Sequence, residues 1–287
     1  MAGESVMGWG FEEPIDGGKG SNQAIAAARL GSRVAFVGCV GEDRYGKRGE
    51  RFLRQAGVDI QFLKRSPTQS SLGGFVILNQ QGIPAIVGLR GANGDLTEDD
   101  VETALNRLKD AQILLTQFEI LPSVAMHAVS IAHQLGMTTI LNPAPAPEDW
   151  IDGFHFADYL TPNETEAKSL LGLDPDSEKN PVDMALALWK KSQAGCVIVT
   201  AGSQGVFVAD GNGVRHVAAP LVKAVDTTGA GDAFNASLAV GLIQGKTLAE
   251  AVEQACLVGA YTVTKQGTIP IFPTPADVEG FQAALGG

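Results

Sequence analysis

The run Asp226-Thr227-Thr228-Gly229-Ala230-Gly231-Asp232-Ala233-Phe234 sets a polar turn of small residues directly against an apolar helix. Small residues let backbone N–H groups crowd around an anion, and a helix N-terminus adds partial positive charge. A carboxylate at Asp232 would stand beside that anion hole. It could take a proton from a hydroxyl while the N–H groups of the turn hold a phosphoryl group. The same spacing also suits an aspartate that caps the helix after a tight glycine turn, and on spacing alone the two readings are even. A dinucleotide fingerprint fits badly, because Gly229-x-Gly231 lacks the third glycine.

Three other segments carry suitable residue types. Gly17-Gly18-Lys19-Gly20-Ser21-Asn22 precedes an expected helix over Gln23–Leu30 that stops at Gly31. Adjacent glycines permit close backbone approach to a ligand, and Asn22 offers donors and acceptors suited to sugar hydroxyls. Alone, this segment reads as a loop and a helix cap. Thr161-Pro162-Asn163-Glu164-Thr165-Glu166 lies between a strand and a helix. Asn163 and Glu166 share a helix face and could hold a hydrated Mg²⁺ near phosphates. In isolation a cap with an acidic first turn is the simpler reading. Thr200-Ala201-Gly202-Ser203-Gln204-Gly205 follows the strand Cys196–Val199. Open α/β sheets bind ligands at such strand ends, although a plain hairpin into Val206–Val208 is the alternative. A Walker A loop is excluded: only three residues lie between Gly241 and Gly245-Lys246-Thr247, and that motif needs four.

These segments need a scaffold, and the chain alternates strand-like and helix-like stretches. Strands are expected at Val34–Gly38, Gln112–Thr116, Thr138–Leu141, Tyr159–Thr161 and Cys196–Thr200. Helices are expected at Gly46–Ala56, Thr97–Leu108, Ser123–Leu135, Pro181–Lys191, Asp232–Ile243 and Leu248–Thr264. Short continuous apolar strands between helices imply a mostly parallel sheet covered on both faces. Residues 60–92 break the pattern, with Phe75–Leu78 and Ala85–Leu89 flanking a Gln80-Gln81-Gly82 turn. This predicts a β-hairpin, to which residues 4–15 could add a strand. A small β appendage is the simplest account, and a pair of edge strands of the main sheet is the alternative.

The 287 residues are close to twice a usual domain of about 150. Hydrophobic residues at 45% and charged residues at 18% exclude a mainly disordered chain. A net charge of −11 with no basic stripe argues against nucleic-acid binding. Cys39, Cys196 and Cys256 sit in apolar stretches without a CxxC pair, as expected of buried, reduced thiols in a cytoplasmic protein. The scattered histidines His127, His133, His155 and His216 do not make a metal site. There is no apolar run of about 18 residues and no secretory signal, so no membrane association is expected.

Taken in order, the four segments resemble those of the ribokinase-like (PfkB) carbohydrate kinases. Gly17–Asn22 with its Ala-rich helix is similar to the family's first signature, and Val225–Phe234 to its second. Gly41-Glu42-Asp43, Gly91-Ala92-Asn93 and Asn142-Pro143-Ala144-Pro145 extend the resemblance over nearly the whole chain. It implies a Rossmann-like three-layer α/β/α core (17–59 and 93–287) and a small β lid (1–16 and 60–92) that closes over the sugar and forms a homodimer clasp. It implies phosphoryl transfer from ATP to a sugar hydroxyl, with D-ribose 5-phosphate the expected product. Other sugar or nucleoside acceptors are the alternatives, as is a non-catalytic relative.

Residue by residue, the resemblance makes Asp232 the catalytic base and the Thr228–Gly231 backbone, including Gly229 and Ala230, the anion hole. Gly18, Asn22 and Glu119 match sugar-contacting positions. Asn163 and Glu166 match the pair that organises Mg²⁺ and phosphate. Thr200, Gly202 and Gly205 match the nucleotide loop, and Cys256 a position near adenine. Asp226 and Thr228 fall in a monovalent-cation loop, implying K⁺, with its other half near Thr264–Gly267. In one respect the sequence departs from the family. The family's first strand carries a Gly-x-x-Asn-x-Asp-like segment whose aspartate binds sugar, and nothing here supplies it, because Met1-Ala2-Gly3-Glu4 already resembles the start of the lid. Weakened sugar affinity and a gap in the sheet are the expectations.

Overall fold

The computed structural model describes residues 17–78 and 84–286. The expected strand over 4–15 and the Gln80–Gly82 turn lie outside the described residues. The core is a six-stranded sheet in the order β10-β9-β8-β7-β6-β5. Its strands are β5 (Ile113–Gln117), β6 (Thr138–Asn142), β7 (Tyr159–Leu160), β8 (Cys196–Thr200), β9 (Val206–Asp210) and β10 (Gly213–Val217). β5 to β8 run parallel, while β9 and β10 fold back as antiparallel hairpins. Hence the alternative reading of Thr200–Gly205 as a hairpin turn also holds: the ligand-loop candidate is the β8–β9 turn.

The side-chain alternation of β8 shows why the sheet is covered twice. Val197 and Val199 point into a cluster with Met184, Ala185 and Leu188 of α6 (Pro181–Ser192) and Ala167 and Leu170 of α5 (Glu164–Leu171). Cys196 and Ile198 point the other way, onto Phe234, Leu238, Ala255 and Cys256 of α7 (Ala230–Ile243) and α8 (Leu248–Val263). A period of two with both faces apolar yields three layers. α4 (Pro122–Gln134) lies on the first side, packed with α3 (Glu98–Arg107). α1 (Lys19–Arg29) lies on the second, with α2 (Arg44–Gln55) and α9 (Pro275–Leu285) around it. The fold is therefore α/β and three-layered, as expected. All three cysteines are buried and free, and among the described residues no helix is long and apolar enough to cross a membrane.

Two strands stand apart. β1 (Ala35–Gly41) pairs in parallel with β2 (Asp59–Ser66), and this pair is not hydrogen-bonded to β5. Among the described residues no strand pairs with the second edge of β1 or of β5. Both strands line one cleft of about 2660 Å³. Their early residues are only half-buried, whereas Ile140 and Leu141 of β6 are fully buried.

Residues 60–92, expected as one lid unit, are distributed. Residues 59–66 form β2 beside β1, because their apolar positions pack there, and the hairpin proper is β3 (Gly73–Leu78) with β4 (Pro84–Leu89). α1 also begins earlier than expected, at Lys19 and not at Gln23. Gly18 takes the extended N-cap conformation, and the Ser21 hydroxyl donates to its carbonyl at 2.8 Å. Asn22 and Gln23 thus stand inside a helix. β10 and α9 are elements that the sequence reading did not contain.

Candidate active site

Asp232 is the third residue of α7 and is 6% exposed. Both its carboxylate oxygens are held by α1: Asn22 Nδ2 donates to Oδ2 at 2.9 Å and Gln23 Nε2 to Oδ1 at 3.0 Å. Burial pushes its pKa above the ordinary carboxylate range, against the pull of the Lys19 charge and the two amide donors. Just ahead, Gly229 caps α7 at φ +77°. A Cβ there would be left-handed and would lie 2.7 Å from Thr268 Cγ2, so the turn that presents the helix N-terminus requires glycine. In the first turn of α7, Ala230 N donates to the Thr227 carbonyl at 3.3 Å and Ala233 N to the Gly229 carbonyl at 2.9 Å, which leaves the N–H groups of Gly231 and Asp232 available to an anion.

Glu119 lies in the turn after β5 and lines the cleft. Its Oε2 accepts the Lys19 N–H at 2.7 Å, and Asn93 Nδ2 donates to its carbonyl at 3.3 Å. Oε2 lies 2.7 Å from where a Gly18 side chain would begin, so glycine at 18 lets α1 start beneath this carboxylate. Burial raises Glu119 to about 6, the Lys19 N–H and charge oppose it, and the Asp232 charge adds to it. Burial likewise raises Glu166, with the Asn163 N–H and Lys19 opposing. Lys19 acts on all three carboxylates, a convergence that the sequence did not reveal.

On the far side, Asn163 and Glu166 form a reciprocal capping box: Asn163 Oδ1 accepts Glu166 N–H at 2.8 Å and Glu166 Oε2 accepts Asn163 N–H at 2.9 Å. The cap reading of this pair is realised, and Glu166 is at the same time a buried carboxylate within electrostatic reach of Asp232. A parallel bridge joins Asn163 to Thr200, and Thr200 N donates to the Pro162 carbonyl at 2.9 Å. Gly202 (φ +53°) and Gly205 (φ +90°) shape the following turn, and a Cβ on Gly205 would run into the Val217 carbonyl. Cys256 packs in the core behind α7, and burial pushes its thiol up to about 12.

The Asp226 carboxylate accepts the N–H of Thr228 at 2.9 Å and of Gly267 at 3.0 Å, which clamps the two segments expected to share a cation. Among the described residues no group of three or more His, Cys, Asp or Glu could enclose a metal. The donors do fit hard cations that take oxygen ligands and keep water, with Glu166 offering one buried carboxylate and the clamped loops offering carbonyls.

Residues 15–275 match the model of the pfkB family carbohydrate kinases. The chain belongs to this family. It is an ATP-dependent carbohydrate kinase. It is similar to the ribokinase of Haemophilus influenzae, 35% identical over 95% of this chain and 88% of the relative. It is also similar to the deoxyribokinase of Salmonella typhi, 33% identical over 90% of this chain and 84% of that one. The solved ribokinase of Arabidopsis thaliana complexed with ribose and ATP superposes with a TM-score of 0.82, at 29% identity over 92% of this chain and 86% of that one. Within this pfkB chain, three polar residues around the site carried no motif weight in the sequence: Gln23, Gln117 and Asn235.

Proposed function

We propose that the chain transfers the γ-phosphoryl group of ATP to the primary hydroxyl of D-ribose, giving D-ribose 5-phosphate. The carrying observation is the buried Asp232 carboxylate, fixed at both oxygens, at the N-terminus of α7. A base there removes the hydroxyl proton as the oxygen attacks phosphorus, and the N–H groups from Gly229 to Gly231 stabilise the charge on the transferring group. Gly18, Asn22 and Glu119 orient the sugar. Asn163, Thr200, Gly202 and Gly205 receive the nucleotide, and Cys256 backs that wall. Lys19 balances the carboxylates and the incoming phosphate.

Glu166 would hold Mg²⁺ through water, and Asp226 and Thr228 would order a K⁺ loop; bound cations would neutralise phosphate charge. A homodimer through the β3–β4 hairpin is part of the reading, because a two-stranded ribbon is marginal alone and gains from cover. A cytoplasmic location is part of the reading, and three buried, unpaired cysteines are consistent with it.

A second acceptor is 2-deoxyribose, favoured by the nearly equal identity to a deoxyribokinase. ADP release with Mg²⁺-ATP and K⁺ is to be measured without sugar and with ribose, 2-deoxyribose or fructose, beside Asp232→Asn. Ribose-dependent turnover lost in the variant supports the proposal. Preference for another sugar reassigns the substrate, and turnover retained in Asp232→Asn refutes the base assignment.

A further inference from the structure

The Asp232 carboxylate is bound asymmetrically. Gln23 is 1% exposed, and each part of its carboxamide is engaged by protein. Its Nε2 donates to Asp232 Oδ1 at 3.0 Å and to Asn142 Oδ1 at 3.3 Å, and its Oε1 accepts from Gln117 Nε2. Gln117 and Asn142 are the last residues of β5 and β6 and are register partners. Asn142 is itself fixed, its Nδ2 donating to the Thr161 carbonyl at 2.8 Å. The β5–β6 strand ends therefore orient the Gln23 amide with its nitrogen toward the carboxylate. Gly20 allows this approach, since a Cβ there would meet Gln117 Oε1 at 3.1 Å. Asn22 is held differently. Among the described residues its only other side-chain bond is a longer one, accepted from Gly17 N at 3.3 Å.

We propose that Gln23 is the positioning residue for Asp232: it anchors Oδ1 permanently and leaves Oδ2 as the oxygen that takes the substrate proton. The inference rests on the reading of Asp232 as base given above. In the step, the sugar hydroxyl oxygen forms its bond to the γ-phosphorus and its proton passes to Asp232 Oδ2. The bond from that phosphorus to the bridging oxygen breaks, with its electron pair leaving on ADP. Asn22 can turn from Oδ2 to a sugar hydroxyl, whereas Gln23, consumed by three partners and sealed from solvent, cannot leave Oδ1.

The test uses Gln23→Met, which keeps length and removes the amide, and Gln117→Met, which keeps Gln23 but frees its orientation. Steady-state kinetics are to be read as separate kcat and KM values and as a pH profile. The charged groups facing Asp232 are Lys19, Glu119 and Glu166, and none changes in either variant. Loss of an N–H donor to a carboxylate raises its pKa, so the acidic limb should move up by about one pH unit. In Gln23→Met, kcat should fall roughly tenfold or more with both KM values within about twofold, and Gln117→Met should show the same pattern more weakly. A carbon-13 titration of the Asp232 carboxyl in each folded protein gives a readout that does not need turnover. An upward-shifted titration supports the proposal even if the sugar tested is wrong. An unshifted titration, or wild-type kinetics in Gln23→Met while Asp232→Asn is dead, overturns it. Activity retained in Asp232→Asn overturns the underlying base assignment instead.

Discussion

Asn235 joins the start of α7 to the strand end beside the nucleotide loop: its Oδ1 accepts the Thr161 hydroxyl at 2.6 Å, and its Nδ2 donates to the Gly231 carbonyl at 2.8 Å. Asn235 and Thr161 are each 1% exposed. Thr161→Val keeps the shape and strands the Asn235 oxygen without its donor. A buried unsatisfied acceptor costs about 1–3 kcal/mol. The expected outcome is a melting temperature lower by several degrees and a kcat reduced about tenfold, because the Gly231 peptide of the anion hole is less firmly held. Thermal melts and steady-state kinetics check both halves. An unchanged melt would mean that the Asn235 oxygen finds another donor.

Glu119 makes a prediction about stability against pH. Its carboxyl is raised from 4.5 to about 6 in the folded state. Between those values the unfolded chain releases the proton while the native protein keeps it, so native stability falls as pH rises through this window and levels off above it. The difference of about 1.5 units corresponds to a cost of at most about 2 kcal/mol above pH 6. Glu119→Gln removes the titration, and its Oε1 can still accept the Lys19 N–H. The variant should melt higher than wild type at pH 7.5 and equally at pH 4, while KM for sugar rises about tenfold. Equal melts at both pH values would contradict a buried, strained carboxylate.

Gly229→Ala probes the anion hole without removing a polar side chain. The new methyl must adopt a left-handed conformation and displace Thr268 Cγ2 from 2.7 Å. Strain of this kind costs about 1–3 kcal/mol. The turn should tilt the first N–H groups of α7, lowering kcat at least tenfold with sugar KM little changed. Equilibrium binding of sugar without nucleotide, measured by calorimetry, should match wild type. If sugar affinity falls in parallel with kcat, the turn serves the sugar pocket and not the phosphoryl group.

What the sequence revealed and what it concealed follow one distinction. Asp232 and Gly229 were legible because a polar, small-residue turn running into an apolar helix is a local pattern, and the structure puts both at that helix start. Asn163 and Glu166 were legible as a pair because their spacing is set by one helix turn. Gln23, Gln117 and Asn235 were not, because each acts through a partner on another element, 94 residues apart for Gln117 and Gln23 and 74 for Asn235 and Thr161. A lone amide within a helix or at a strand end has no spacing to betray it. The pairing of β2 with β1 was not legible for a similar reason. This parallel pairing crosses over α2, and the burial of β2 alternates too weakly to announce a core strand.

The edges of β1 and β5 that no described strand pairs predict uneven protection. Among the described residues β5 bonds only β6 and β1 only β2, and the two outward edges share the cleft. Backbone groups on such edges exchange with solvent through small local openings. Hydrogen–deuterium exchange followed by mass spectrometry should show peptides covering 35–41 and 113–117 exchanging at least tenfold faster than those covering 138–142 and 196–200. Uniform protection across all four would mean that something fills the cleft between β1 and β5 in solution.

The base of the β3–β4 hairpin offers the last test. Asp43 caps α2 through Gly46 N at 2.8 Å, and the same carboxylate accepts Ser71 N at 2.7 Å and the Ser71 hydroxyl at 2.8 Å. At the other leg Ala92 N donates to the Ser70 carbonyl at 2.7 Å. Burial acts to raise the Asp43 carboxyl, but the donors from Gly46 and Ser71 outweigh it and hold it below its usual range. Its contribution to stability is therefore present at neutral pH and lost as pH falls through that lowered value. Among the described residues, Asp43→Ala leaves Ser71 held only by the Gly41 N–H that donates to its hydroxyl at 3.0 Å, while Ala92 still holds Ser70. Sugar KM should rise about tenfold with kcat changed less than threefold, and limited proteolysis should cut faster between residues 66 and 91. A tenfold loss in kcat at unchanged KM would place the effect of Asp43 on chemistry and not on how the hairpin is held over the cleft.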